Sequence, residues 1–115
     1  MGRRLIYIKP AATPAYNPLT LAWIAATTYT IELYANYAYT INELKIIADA
    51  GTCTANLKIN STSVTSISAV AVSTSIATAT ASGANTVSVG DKITLVTTSN
   101  SGLSNLQLTI KTTRI

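Results

Sequence analysis

From Thr27 onward, apolar and polar residues alternate with a period of two along much of the chain. This is the pattern of half-buried β-strands, in which successive side chains point to opposite faces of a sheet. In the first stretch, Tyr29, Ile31 and Leu33 are predicted to face a core, and Glu32 is predicted to face solvent. The first predicted strand therefore covers residues 27–34.

Further predicted strands lie at 37–48, 53–59, two within 67–81, 87–89, 93–95 and 106–111. The alternation slips at 43–46, as expected for a β-bulge, and residues 49–51 are predicted to end that strand. The segment 67–81 is too long for one average strand, so it is divided at 73–75. The polar sequence TTSNSG at 97–102 is predicted to be a loop. About eight strands result.

Because no helix is predicted to cover a sheet, two antiparallel sheets are expected to cover each other. The predicted fold is all-β: an antiparallel β-sandwich, jelly-roll-like, over residues 27–115. Residues 1–26 contain all three prolines and the only Trp, and prolines keep a chain extended and prevent a helix. Residues 1–26 are therefore predicted to form an extended arm.

The arm also holds the residues predicted to bind a partner, because Tyr and Trp provide rigid contact area and Arg and Lys attract an acidic surface. These residues are Arg3, Arg4, Tyr7, Lys9, Pro10, Pro14, Tyr16, Pro18 and Trp23. One interpretation has the arm docking on a neighbouring subunit. Another has its aromatic residues folding back to cap the open end of the domain's own sandwich. A third has Trp23 or the tyrosines stacking on a sugar.

Charged residues make up only 10% of the chain, so little electrostatic repulsion keeps it away from neighbours. This composition suits a protein that is packed in an assembly. The basic residues are not clustered along one element with interleaved aromatics, so nucleic acid is not predicted as a partner. No apolar run approaches the roughly 18 residues of a membrane span, so no membrane partner is predicted either.

Catalytic chemistry is sparse. The chain has no His, the commonest general base near neutral pH and a common metal ligand. Glu32 and Glu43 could approach each other on neighbouring strands, but outward strand carboxylates are usually solvated. Asp91 is interpreted as a turn residue, and together with Asn85 it gives too few oxygens for Ca²⁺. Cys53 is interpreted as a buried small hydrophobe. The chain is predicted not to be an enzyme, with no cofactor and no metal.

Three pieces within residues 51–114 carry a resemblance: the opening GT-x-T-x-x-L-K-I-N strand, the VSVGDKITLV hairpin and the closing SNLQLTIKTTR strand. This region resembles a β-sandwich module of tailed-bacteriophage virion proteins. Such modules occur in head decoration proteins, head fibres and tail fibres, commonly as trimers, and some look like carbohydrate-binding domains. The pattern often has Asn-Gly after its first strand, where this chain has Asn60-Ser61.

The resemblance implies a virion part and assigns no catalytic residue. The leading hypothesis is a capsid decoration (cement) or head-fibre protein, made in the bacterial cytoplasm and bound to the phage head as a homotrimer. Its expected partner is the major capsid protein or another virion protein. The alternative is a tail-fibre or receptor-binding component, or a carbohydrate-binding module for host adsorption, with a glycan as partner.

Overall fold

The structure is a computed structural model that describes residues 15–21 and 28–115. Within these residues it contains strands and irregular segments but no helix, hence none that could cross a membrane. The strands are β1 (Ala15–Leu21), β2 (Thr28–Glu32), β3 (Tyr39–Ile59), β4 (Thr62–Ser63), β5 (Val70–Val72), β6 (Ala77–Thr80), β7 (Thr86–Val87) and β8 (Ile93–Arg114).

The two longest strands, β3 and β8, pair with each other along almost their whole length and form the centre of the sheet. β1 and β2 pair with the other edge of β8. β4, β5, β6 and β7 pair with the other edge of β3. Every one of these pairings is antiparallel, and the sheet curls. The predicted all-β antiparallel fold is therefore confirmed, while the β-sandwich and its jelly-roll connectivity stay predictions.

The core follows the alternation of the central strands. On β3, Cys53 and every second residue through Ile59 are buried, as predicted from their period of two. Burial of the Cys53 side chain raises the pKa of its thiol, which confirms its interpretation as a buried small hydrophobe. The other buried apolar residues of β3 and β8 are Tyr39, Ile41, Leu44, Ile46, Ala48, Ile93, Leu95, Leu106, Leu108 and Ile110.

Two predicted interruptions of the long strands are wrong. β3 does not end at 49–51 but continues through Gly51, and β8 continues through 97–102 instead of forming a loop there. Both stretches belong to the β3–β8 ladder, although most of their side chains are exposed: Ala50 lies opposite Ser104, and Ser101 and Thr98 lie opposite Thr52 and Thr54. Positive φ angles at Ser99 and Gly102 explain the turn-like composition. The sequence predicted a polar segment at 97–102, but it did not predict that β8 pairs with β3 there.

The predicted faces of β2 are wrong at its C-terminal end. Leu33 was expected in the core but is 72% exposed, and Glu32 was expected outside but is 8% exposed. The pairing of β2 with β8 shifts register between Thr30 and Glu32. A shift of one residue moves every following side chain to the opposite face.

The predicted bulge at 43–46 is displaced. The register of β3 against β8 shifts between Ile41 and Glu43, and residues 43–48 pair in one register. The predicted division of 67–81 is confirmed. The segment divided at 73–75 forms two strands, β5 and β6, on either side of that point.

Candidate docking surface

The structure describes two of the predicted arm residues, both in β1. Tyr16 lies opposite Lys111 and Pro18 lies opposite Thr109, so this part of the predicted arm belongs to the same sheet as β8. The domain boundary at residue 26 and the docking of the arm on a partner stay predictions. The other predicted arm residues lie outside the described residues: Arg3, Arg4, Tyr7, Lys9, Pro10, Pro14 and Trp23.

One end of the domain is built by two loops that hydrogen-bond to each other: 33–38, between β2 and β3, and 88–92, between β7 and β8. The Gly90 N–H donates to the Ala35 carbonyl at 2.8 Å, and the Ala35 N–H donates to the Asp91 carbonyl at 2.9 Å. Ala35 is fully buried beneath this contact. The two loops therefore form one connected surface.

Most of the large exposed apolar side chains of the described residues lie at this end. They are Leu33 at 72% exposure, Tyr34 at 62%, Val89 at 59% and Ile115 at 72%. Ile115 joins the end because its N–H donates to the carbonyl of Ala38 at 3.1 Å. We refer to Leu33, Tyr34, Val89 and Ile115 as the end surface. Exposed apolar groups gathered in one place mark interaction sites more often than single exposed residues do.

The Tyr34 ring is held against the neighbouring loop. A Cβ placed on Gly90 would lie 3.5 Å from Cε2 and Cζ of Tyr34, so the ring packs over this glycine. Gly90 has a φ of +90°, a conformation that favours glycine. The loop geometry thus presents an aromatic side chain that is supported from below and open on its other side.

Loop 88–92 is fixed by the side chain of Asp91. Its carboxylate accepts the Ser88 N–H at 2.8 Å and the Asn60 Nδ2–H at 3.1 Å. These two hydrogen bonds, the Ser88 one first, hold the pKa of Asp91 below its usual value. The Lys92 N–H in turn donates to Oδ1 of Asn60 at 3.1 Å. Asp91 is confirmed as a turn residue, and the loop is ordered before any partner binds.

An aromatic and charged cluster lies beside the end surface. The Arg114 guanidinium is 4.1 Å from the centroid of the Tyr37 ring, and Tyr37 packs edge-to-face on Tyr39 with centroids 5.7 Å apart. The Tyr39 hydroxyl donates to the Glu32 carboxylate at 2.5 Å. Burial raises the pKa of Tyr37, and Arg114 opposes this shift. The cluster stabilises the end of the domain and leaves a cation, Arg114, exposed next to the apolar side chains.

The carboxylates considered for catalysis are in different environments. Glu32 is buried against Tyr39, whereas Glu43 lies 3.8 Å from the ammonium of Lys45. Their strands, β2 and β3, pair with opposite edges of β8 and not with each other. The expectation that Glu32 and Glu43 lie on neighbouring strands is therefore wrong.

A shallow groove of about 310 Å³ lies beside loop 88–92 and is lined by Ile59, Asn60, Thr62, Ala84, Asn85, Thr86 and Asp91. It brings together Asn85 and Asp91, the two residues weighed as calcium ligands. Both carboxylate oxygens of Asp91 accept hydrogen bonds within the fold, and the Asn85 amide is held in place by its Nδ2–H, which donates to the carbonyl of Ile41 at 2.7 Å. Across residues 28–115, no group of three or more Cys, Asp or Glu side chains could hold a metal ion.

No family model matches the chain, and no curated protein and no solved structure matches it. Functional inference therefore depends on the chain's own residues and geometry.

The end surface was not predicted from the sequence. Leu33 and Val89 continue the alternation of the strands before them, which predicts burial for such residues. The sequence did contain an indication of their exposure, because both residues stand close to a turn. Val89 precedes Gly90, and Leu33 stands two positions before Ala35. An apolar residue beyond the last paired position of a strand has no facing sheet to cover it.

Proposed function

We propose that this chain is a structural virion protein that binds the surface of a tailed-bacteriophage head, as a capsid decoration (cement) or head-fibre protein. The observation that carries this proposal is the end surface, a set of exposed apolar anchors on hydrogen-bonded loops. A domain with 10% charged residues and such anchors suits permanent packing against other proteins. The resemblance of residues 51–114 to virion modules supports the same role.

The size of the end surface supports attachment by several copies at once. Burying one large apolar side chain contributes about 1.5–3 kcal/mol, so four such residues contribute about 6–12 kcal/mol. Association itself costs about 4–15 kcal/mol. One copy would therefore bind weakly. A homotrimer that presents three end surfaces gains affinity through effective concentration, and the predicted arm would add to each contact.

Charge supports an acidic partner surface. The chain carries a net charge of +4, and Arg114 is exposed beside the end surface. The predicted arm adds Arg3, Arg4 and Lys9. Exposed charges of this kind raise the association rate and make it depend on salt, since the Debye length is about 8 Å at physiological ionic strength. We propose the major capsid protein, or another virion protein with an acidic exposed face, as the partner.

The alternative function is host adsorption as a tail-fibre or carbohydrate-binding component. The observation that favours it is Tyr34, whose ring packs over Gly90 and remains 62% exposed. A supported, open aromatic ring is suited to stacking on a sugar.

The proposal is tested by sedimenting the purified full-length chain with isolated heads of the phage whose genome encodes it. The double variant Leu33→Ser/Val89→Ser removes about 3 kcal/mol of apolar burial, so its affinity is expected to fall about 100-fold. Ala50→Ser/Ala71→Ser is the control, because both side chains are exposed and lie outside the end surface. It should bind as the wild type does.

The other outcomes are equally decisive. If Leu33→Ser/Val89→Ser binds heads as tightly as the wild type, the end surface is not the attachment site. If the wild-type chain binds tails or a glycan array but not heads, and Tyr34→Ala abolishes that binding, the adsorption role is correct. Absence of binding to heads, tails and glycans refutes both roles.

A further inference from the structure

The outer edge of β6 (Ala77–Thr80) is open to pairing. β6 pairs with β3 on one side, and no other strand in the described part of the chain pairs with its second side. The Ala81 N–H donates to the Asn42 carbonyl at 2.9 Å, in register with the β3–β6 ladder. Because hydrogen bonding alternates along an antiparallel strand, Ala77 and Ala79 also bond to β3. The backbone N–H and C=O groups of Thr78 and Thr80 therefore point away from β3.

Ser82 confirms that every second residue points its backbone groups away from β3. It follows Thr80 in the alternation, and its N–H donates to the carbonyl of Thr65 at 3.1 Å, on the side away from β3. Thr65 thus occupies the hydrogen-bonding groups at one end of the edge. The edge that remains free runs over residues 76–80.

Residues 76–80 themselves carry none of the features that usually protect an edge strand. Natural edge strands usually carry a charged side chain, a proline or a bulge. No charged residue occurs between Lys58 and Asp91, and all prolines lie in the first 18 residues. Thr78 and Thr80 are exposed, and Ile76 at the open end is 66% exposed. An edge strand without charged side chains is a template for another strand.

We propose that the edge pairs, antiparallel, with the same edge of a second copy of this chain. The length of the free edge fits a second copy. Thr65 limits an added strand to the length of the segment 76–80, and the second copy pairs through the same segment. The hydrogen-bonding pattern also fits a two-fold axis through Thr78. Thr78 of one copy forms a hydrogen-bonded pair with Thr78 of the other, and Ile76 of each copy lies opposite Thr80 of the other.

Electrostatics makes this pairing depend on salt. A cation next to the edge is Lys45, whose ammonium donates to the Thr78 hydroxyl at 3.0 Å. Because Thr78 of one copy pairs with Thr78 of the other, two ammonium groups held in this way lie near the centre of the contact and repel each other. Each is also 3.8 Å from the Glu43 carboxylate of its own copy, which offsets part of this repulsion. Raising the salt concentration should therefore strengthen the pairing.

This contact is independent of the proposed virion role and of the three-fold association. The β6 edge pairs with the same edge of a second copy across a two-fold axis, so this contact joins copies in twos. In a trimer, the three edges would each connect to a neighbouring trimer. Edge pairing can therefore fail while head binding succeeds, and the reverse.

Disulfide cross-linking tests the register directly. In a hydrogen-bonded antiparallel pair the Cα atoms are about 5.5 Å apart, within the range of about 4.4–6.8 Å that a disulfide spans. Thr78→Cys is therefore expected to form covalent dimers on mild oxidation of the full chain. Thr98→Cys is the matched control, because Thr98 is also exposed on a strand but lies on β8. The native thiol of Cys53 is buried and adds little background. At least fivefold more dimer from Thr78→Cys is expected.

Analytical ultracentrifugation over a concentration series tests the energetics. Thr78→Pro removes an outward N–H and leaves the bonds of Ala77 and Ala79 to β3 in place, so it is tolerated by an edge strand. It should weaken dimerisation at least tenfold, whereas Thr78→Val, which keeps the N–H, should change it less than twofold. Equal cross-linking of the two cysteine variants overturns the proposal. So does equal dimerisation of the Pro and Val variants, or a wild-type chain that never forms dimers at its highest soluble concentration.

Discussion

Replacing Gly51 with Ala should be among the most destabilising single changes in the described part of the chain. Gly51 lies at a register shift between β3 and β8, and a Cβ added there would be closer than 3.0 Å to the backbone C and O of Gly102 and to the O of Ser101. These are backbone atoms, which cannot turn aside as a side chain can. Gly51 also has a φ of +80°, which strains any residue with a Cβ.

The cost is the sum of two effects. A positive φ costs an L-residue with a Cβ about 1–2 kcal/mol. Forcing an extra carbon into a closely packed position costs about 1–3 kcal/mol more. Gly51→Ala should therefore lower the free energy of unfolding by about 2–5 kcal/mol. Gly102→Ala is a matched control, because Gly102 has a φ of +62° but a Cβ there meets nothing within 4 Å. It should cost only about 1–2 kcal/mol.

Urea denaturation followed by circular dichroism measures both variants. A small domain has a slope of about 1–3 kcal/mol per molar urea, so a difference of about 2 kcal/mol separates their midpoints by about 1 M. Entropy lost from the unfolded chain on a Gly→Ala change is similar for the two positions and cancels in the comparison. Equal midpoints for the two variants would show that the two backbones do not approach each other as closely as described.

Two further predictions concern the end of the domain. Tyr39→Phe removes the hydroxyl that donates to the buried Glu32 carboxylate, so it should lower the free energy of unfolding by about 1–3 kcal/mol in the same assay. Tyr34→Phe, at an exposed ring, should change it by less than about 0.5 kcal/mol, and similar losses from both would refute the role of the buried bond. Asp91 has a folded pKa below its unfolded value, because the Ser88 N–H bonds to its carboxylate. Its contribution to stability is therefore present above the unfolded pKa, near 3.9, and is lost as the pH falls through the folded pKa. Asp91→Asn should flatten the acid side of a plot of unfolding free energy against pH, and an unchanged slope would contradict the assignment.

Alternation predicts burial reliably where a strand has one face on the core. Cys53 and the residues that follow it on β3 illustrate this, because both faces of that segment keep a constant environment. Alternation does not predict strands that pair with both faces exposed, as at 49–51 and 98–102. There the side chains are polar and small, and the pairing of β3 with β8 depends on residues far apart in sequence. Composition indicates a loop at such places even though the backbone is extended and paired.

The end surface shows a second limit of local sequence patterns. Leu33 and Glu32 exchange faces because β2 shifts its register against β8, and that shift depends on a strand more than fifty residues away. Asp91, in contrast, was predicted as a turn residue, because the turn preference of Gly90-Asp91 is local. The candidate site thus combines a locally determined loop with apolar residues whose exposure is determined by distant pairing.

The two proposed contacts reinforce each other because they use different parts of the fold. The end surface lies on the loops beyond β2 and β7, whereas the open edge lies on β6, alongside residues 43–46 of β3. One copy can therefore hold a particle and a neighbouring copy at the same time. Each contact is weak alone, since four exposed side chains or five strand residues barely exceed the cost of association. On a particle, the first contact raises the effective concentration for the second. Pairing through the β6 edge should therefore be weak in dilute solution and should make occupation of a particle cooperative, and Thr78→Pro should remove the cooperativity while leaving binding through the end surface intact.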